Sequence, residues 1–203
     1  MISGVSTGVQ GWQAAAALII LVILGISSLN CVPSLFDATI DATVVNVVDG
    51  DTIDVTDSDG TKVRIRILGI DAPELSGNRS DEYGGIRDTE CLDDWGAKVK
   101  ELVTKRLGCS AWGCEDGKKV KVELDPAAGE YDQYDRLLAY VYLYNNDLGT
   151  MLLEEGMARV WEPPPDIARI DDYFNIEEEA RSNREGLWAC TFGQTGHYTF
   201  TNN

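Results

Sequence analysis

The chain has 203 residues, of which 34 are acidic and 17 basic, giving a net charge of −17 and a pI near 4.3. With 44 % apolar residues it has material for one packed domain plus a short extra segment, which excludes wholesale disorder and leaves no room for two ordinary domains. A basic footprint is absent overall, which counts against a phosphate-rich partner at ordinary ionic strength, although at molar salt the Debye length falls to about 3 Å and only contact-range cations matter. The acid surplus lies in surface-like runs such as Asp54–Asp59, Asp93–Asp94 and Glu177–Glu179. Together with the scarcity of lysine, it reads as the surface of a halophile's protein.

No charged residue occurs before Asp37, and the first apolar run, Trp12 to Leu29, is uncharged throughout. Its length is short for a membrane span and typical of a signal-peptide core, although a basic n-region is missing. Residues 1–38 are therefore expected to be a signal peptide or membrane anchor plus linker, with the protein working outside the cell or tethered facing outward.

The strands begin after this linker. Thr43, Val45 and Val47 alternate with Val44, Asn46 and Val48, and Ile53 and Val55 follow a turn at Gly50. Asp57-Ser58-Asp59-Gly60 is a hairpin signal, after which Val63, Ile65 and Ile67 alternate with Arg64, Arg66 and Leu68. A long polar loop covers Leu75 to Asp93. Trp95, Val99, Leu102 and Val103 recur at helical spacing and predict a helix over 94–107. Val120, Val122 and Leu124 mark a fourth strand. Leu137–Tyr144 is a fifth, with Ala139, Val141 and Leu143 on one face and Tyr140, Tyr142 and Tyr144 on the other. Leu148–Glu155 reads as a short helix stopped by Gly156, and Asp171–Asn183 as a third helix closed at Gly186-Leu187-Trp188. The fold class is thus mainly β with α: a five-stranded closed barrel of the oligonucleotide-binding type with three helices, spanning 39–190 and followed by a tail at 191–203.

Five cysteines and one histidine, with no CxxC pair, argue against a structural zinc site. In an oxidising compartment Cys109 and Cys114 are spaced to close a small loop. Cys91 and Cys190 are then a candidate second pair and Cys31 the odd one, but spacing alone does not fix the connectivity.

Two acidic clusters flank the first three strands: Asp49-Gly50-Asp51-Thr52 at the first turn and Asp71-Ala72-Pro73-Glu74 after the third strand. In a closed meander Asp51, Asp71 and Glu74 can converge, and carboxylates without histidine or thiolate suit Ca²⁺ or Mg²⁺. Taken alone, each cluster is equally a turn and a strand stop. Arg66 and Arg136 add to the pattern, since guanidinium groups beside a carboxylate-bound cation can hold a phosphodiester and offset charge developing on it.

The strings Val47-Val48-Asp49-Gly50-Asp51-Thr52, Val63 to Glu74, and Tyr134-Asp135-Arg136-Leu137-Leu138-Ala139-Tyr140-Val141-Tyr142 resemble the staphylococcal nuclease (thermonuclease) family, over roughly residues 39–190. The resemblance implies a five-stranded barrel with three helices and a Ca²⁺-dependent cleavage of DNA and RNA that leaves 3′-phosphate ends. It implies Asp51, Asp71 and the Ala72 carbonyl as metal ligands, and Glu74 as the group that positions water. Arg66 and Arg136 would clamp the phosphate, and Tyr134 would line the nucleotide pocket. DNA or RNA is the expected partner and a monomer the expected state. Three departures stand out: Ala72 where threonine is frequent, Asp135 where glycine is common, and a longer 75–93 loop. Trp161 is read as core, with pocket lining as its alternative. The rival reading is a non-catalytic nucleic-acid- or protein-binding barrel of the same fold, which the joint presence of the carboxylates and both arginines disfavours.

Overall fold

Alternating apolar residues build the first three strands of the computed structural model, which describes residues 39–78, 83, 85–162 and 165–190. The apolar run at 12–29, Cys31, His197 and the tail lie outside the described residues. The strands β1 (Ile40–Val47), β2 (Thr52–Thr56) and β3 (Lys62–Ile67) form an antiparallel meander. The alternation expected for β1 is broken. A bulge between Val44 and Asn46 leaves Val45 unpaired, so Val44 and Val47 share the core side while Val45 is half-buried.

After Gly69, whose φ of +82° only glycine adopts freely, the two-residue β4 (Ile70–Asp71) leaves the barrel sheet. The helix α1 (Thr89–Arg106) begins five residues before the apolar spacing suggests, because the Asp88 side chain accepts the Cys91 N–H and caps it. β5 (Lys119–Glu123) and β6 (Leu137–Leu143) complete the barrel. β5 lies between β1 and β6, and β6 pairs in parallel with β3 through Ile65–Leu137, Arg66–Leu138 and Ile67–Ala139. β7 (Asn146–Asp147) folds back on β6, and α2 (Leu148–Glu154) follows it directly. Next, β8 (Arg159–Val160) pairs with β4, so Asp71 lies opposite Arg159. α3 (Ile170–Asn183) and a 3₁₀ turn at Gly186–Ala189 end the domain. Among the described residues no helix is long and apolar enough to cross a membrane.

The barrel is filled by Ile53, Ile65, Ile67, Ala139 and Val141, while Val99, Leu152 and Leu187 bring the helices onto the same core. Tyr140, on the face of β6 opposite Ala139 and Val141, is also fully buried. Its hydroxyl donates to the buried carboxylate of Asp125 at 2.8 Å and its ring meets Tyr173 edge-on, so the polar end is satisfied inside. Two disulfides join Cys91 to Cys190, across 99 residues, and Cys109 to Cys114.

Candidate active site

The start of β2, the end of β3, β4 and the residues entering β6 meet at one end of the barrel. The β2–β3 register sets Thr52 opposite Arg66, and the β3–β6 register sets Arg66 beside Leu138, two residues past Arg136. Close approach is needed here. A Cβ on Gly50 would lie 2.6 Å from Ala72 Cβ and 2.8 Å from Val99 Cγ1, so only glycine lets the Asp49–Asp51 turn sit against the Asp71–Glu74 segment.

Asp51 is buried, and its Oδ2 accepts the Ala72 N–H at 2.7 Å while its Oδ1 accepts the Thr52 hydroxyl at 3.1 Å. The guanidinium of Arg66, also buried, spans the two aspartates: Nη1 lies 3.0 Å from Asp51 Oδ2, and Nη2 lies 2.9 Å from Asp71 Oδ1. Nη1 also donates to the Ile70 carbonyl at 2.8 Å. Asp71 is held from its other side by Arg159, whose Nε and Nη2 donate to Oδ2 at 3.0 and 2.9 Å. Opposite Arg66, the Thr52 hydroxyl accepts from Arg136 Nη1 at 3.4 Å, and Asp132 takes Arg136 Nε at 2.7 Å. An unbroken chain of hydrogen bonds and ion pairs thus runs from Asp132 through Arg136, Thr52, Asp51, Arg66 and Asp71 to Arg159. Of the other predicted residues, Tyr134 is exposed with its ring 5.3 Å from the Arg136 guanidinium, and Glu74 is exposed beside the same cluster. Trp161 is only half-buried and stacks on Arg66, 5.0 Å from its guanidinium carbon, so it borders the site and does not sit in the core. Asp135 adopts φ +62°, the left-handed region that accounts for a glycine preference at this turn.

Burial pushes the Asp51 carboxyl up to about 7, helped by the charges of Asp49 and Asp71 and opposed by Arg66 and the Ala72 N–H. Burial thus disfavours the ionised Asp51 carboxylate more than Arg66 favours it, so a cation bound beside it would stabilise the charged form. The donors are hard oxygens, which fits Ca²⁺ or Mg²⁺. Among the described residues no three His, Cys, Asp or Glu side chains are grouped to hold a metal by themselves, so a cation would take the two aspartates and backbone oxygen. The Ala72 carbonyl accepts the Tyr83 hydroxyl at 2.8 Å, and its second lone pair remains for such an ion. Glu74 is exposed as a residue, yet its carboxyl is also raised, first by desolvation against the neighbouring segment and then by Asp49 and Asp71, against the pull of Arg66 and Arg136.

Several residues at the site gave no sequence signal. Asn78 is buried in the polar loop and clamps the Glu74 backbone, its Oδ1 accepting Glu74 N–H at 2.9 Å and its Nδ2 donating to Glu74 C=O at 2.8 Å. The same Nδ2 reaches Asp93 on α1 at 2.7 Å. Tyr83 and Arg159 stack, with the guanidinium 4.6 Å from the ring. Gly96 did carry a signal, because a lone glycine inside a helical pattern points to close packing. A Cβ there would overlap the Glu74 carbonyl oxygen and lie 2.6 Å from its carbon.

The family model described as "Staphylococcal nuclease homologue" matches residues 64–190. The chain is 37 % identical over 155 residues to an uncharacterized protein of Methanocaldococcus jannaschii, covering 71 % of this chain and 70 % of that one. It is 34 % identical over 153 residues to a prophage-derived endonuclease of Bacillus subtilis, covering 74 % of this chain but 44 % of that protein, so it spans less than half of that relative. A thermonuclease of Staphylococcus intermedius is 30 % identical over 146 residues, with 71 % and 74 % covered.

Proposed function

We propose that this chain, which belongs to the staphylococcal nuclease homologue family, is a calcium-dependent nuclease that hydrolyses phosphodiester bonds of DNA or RNA. Relatives named as endonucleases and thermonucleases support nuclease activity as such. The observation that supports the mechanism is the guanidinium of Arg66 shared between Asp51 and Asp71. It brings a phosphate-binding group and a cation-binding pair into one small volume. Asp51, Asp71 and the Ala72 carbonyl would hold the ion, which supplies polarisation of the scissile phosphate when bound. The rest falls to the chain's own residues. Glu74, fixed through its backbone by Asn78, orients the attacking water. Arg136, and Arg66 once a bound cation takes over Asp51 and Asp71 from it, would present guanidinium N–H groups to the equatorial oxygens, where negative charge grows as the new P–O bond forms. Tyr134, above Arg136, gives a face for the adjoining base.

The test is cleavage of plasmid DNA with and without Ca²⁺, by wild type and by Arg66→Lys and Arg136→Lys proteins shown to be folded by circular dichroism. Lysine keeps the charge and removes the fork, and losing one such donor lowers kcat by about 10²–10³-fold. Folded lysine variants with near wild-type kcat would make the arginines structural ion pairs and overturn the mechanism.

The same proposal places the enzyme outside the cytoplasm, or tethered there by its N-terminal run, in high salt. Its support is the uncharged segment before Asp37, the net charge of −17, and two disulfides, which persist in oxidising compartments. Full-length protein found soluble in a cytoplasmic fraction would refute export.

A further inference from the structure

Seven lysines are present in the whole chain, and three of them, Lys118, Lys119 and Lys121, fall within four positions at β5. The strand alternates, so Val120 and Val122 enter the core while Lys119 and Lys121 stand exposed on the outer face. Lys62 and seven arginines of this acidic chain are engaged in ion pairs. None of these three lysines has an ion-pair partner among the described residues. Asp41 sits opposite Lys121 in the β1–β5 register and Glu123 follows on the same face beside Tyr142, so three lysines face two acids and the patch stays positive in a molecule that is otherwise strongly negative.

Aromatic rings border the same surface. Tyr142 is the β6 partner of Lys121, and Tyr144 stands 70 % exposed at the tip of the β6–β7 hairpin, with Lys118 Nζ 6.0 Å from its ring. Tyr144 and Asn145 have φ of +52° and +67°. That is the primed-turn geometry a tight hairpin requires, but a bulky residue with positive φ is an outlier that asks for a reason. Lysines and tyrosines together line a groove of about 370 Å³. The groove lies at the other end of β6 from the catalytic residues: Arg136 immediately precedes that strand and Tyr144 immediately follows it, a chain length of at most about 26 Å at strand rise.

We propose that this face is a second nucleic-acid contact, an exosite that holds a single-stranded segment of the substrate away from the point of cleavage. It rests on the nuclease reading of the first site. Lysine ammonium groups would track the phosphates, and the exposed Tyr144 ring offers the stacking platform that an unpaired base requires, the combination that binds single strands without regard to sequence. Stacking also matters because it survives the salt that screens lysine–phosphate attraction. At about 3.4 Å per nucleotide of a stacked strand the separation from Arg136 corresponds to at most about eight nucleotides, within the roughly 4–16 that barrels of this type engage.

The test uses the full chain with EDTA present, so that binding is read without cleavage, by fluorescence anisotropy of fluorescein-labelled 20-mer oligothymidylate. The proteins compared are wild type, Lys119→Ala/Lys121→Ala, Tyr144→Ala, and a charge-matched control, Lys100→Ala/Lys105→Ala on α1. Expected results are at least tenfold weaker binding by the patch double variant and by Tyr144→Ala, with the control unchanged. The slope of log affinity against log salt should flatten by about 1.4 in the double variant, at about 0.7 per phosphate contact on a single strand. With Ca²⁺ added, the double variant should raise KM for the 20-mer while leaving cleavage of a dinucleotide unaltered. Equal losses in the control, or none in the patch variants, overturn the exosite. An unchanged Tyr144→Ala with equal loss on duplex DNA overturns the single-strand assignment. Wild type that binds as expected but cleaves neither substrate sinks the nuclease reading and spares the binding face.

Discussion

Replacing Gly96 by alanine sets two well-calibrated effects against each other. In an exposed helix interior the change stabilises by about 1 kcal/mol. Here the new methyl would overlap the Glu74 carbonyl oxygen, with Glu74 C at 2.6 Å and Pro73 O at 2.9 Å. Heavy atoms sit comfortably at about 3.5–4.0 Å, so the 73–74 backbone must retreat by about 1 Å or α1 must shift by as much. Overpacking of this kind costs about 1–3 kcal/mol, so the net change in stability is between about zero and 2 kcal/mol. For a protein of this size 1 kcal/mol moves Tm by about 2–4 °C. The larger effect is expected in the rate. Retreat of that segment stretches both Asn78 bonds to Glu74, and a 1 Å misplacement at a reacting geometry costs about 10²-fold. Thermal melting and kcat on a defined oligonucleotide, measured on the same preparation, separate the two. A Gly96→Ala protein that melts higher than wild type and keeps its kcat would show that α1 does not set the position of Glu74.

Asn78→Ala should lower kcat more than it raises KM, since Asn78 holds the backbone of Glu74 and touches neither phosphate arginine; a pure KM effect would refute the positioning role. Asp54 is buried, yet bonds from Arg64, Lys62 and Asn46 outweigh that burial and hold its carboxyl at about 2. Because the folded value lies below the unfolded one, its contribution is present above pH 4 and is lost as pH falls through 2. The acid-unfolding curve of Asp54→Asn should accordingly be shallower between pH 4 and 2, and an identical curve counts against the assignment. Cys91→Ser/Cys190→Ser reopens a loop of 99 residues and should cost about 2–5 kcal/mol in chemical denaturation, whereas wild-type stability in that variant would remove the disulfide from the fold's support. Activity and folding should rise toward molar salt as repulsion within the chain is screened; maximal activity at low salt, falling through about 0.1–1 M, would refute the halophilic reading.

The five barrel strands and three helices were legible because each buries one face and so writes a period of two or of 3.6 into the chain. The misreadings have local causes. The β1 bulge is invisible in a run where valine falls on both faces, at Val44, Val45, Val47 and Val48, and the helix start is set by the Asp88 side chain capping the Cys91 N–H, which apolar spacing does not record. The pairing of Asp71 with Arg159 needs a two-residue strand 88 positions away, and strands that short have no periodicity to read. Asn78 and Tyr83 lie in a loop whose order comes from side-chain hydrogen bonds, which leave no pattern in composition. Arg66 was placed on the correct face, but its burial between two aspartates was not foreseeable, since alternation predicts an exposed cation there.

Among the described residues each of the five barrel strands has a neighbour on both sides, because the parallel pairing of β3 with β6 closes the sheet. This bears on solubility. An acidic protein ordinarily keeps its copies apart by repulsion, but at molar salt that force reaches only about 3 Å. Molecules can then come into contact freely, and an open strand with unpaired N–H and C=O groups would recruit a strand from the next chain. Ring closure removes that template by geometry, a protection that does not weaken as the ionic strength rises.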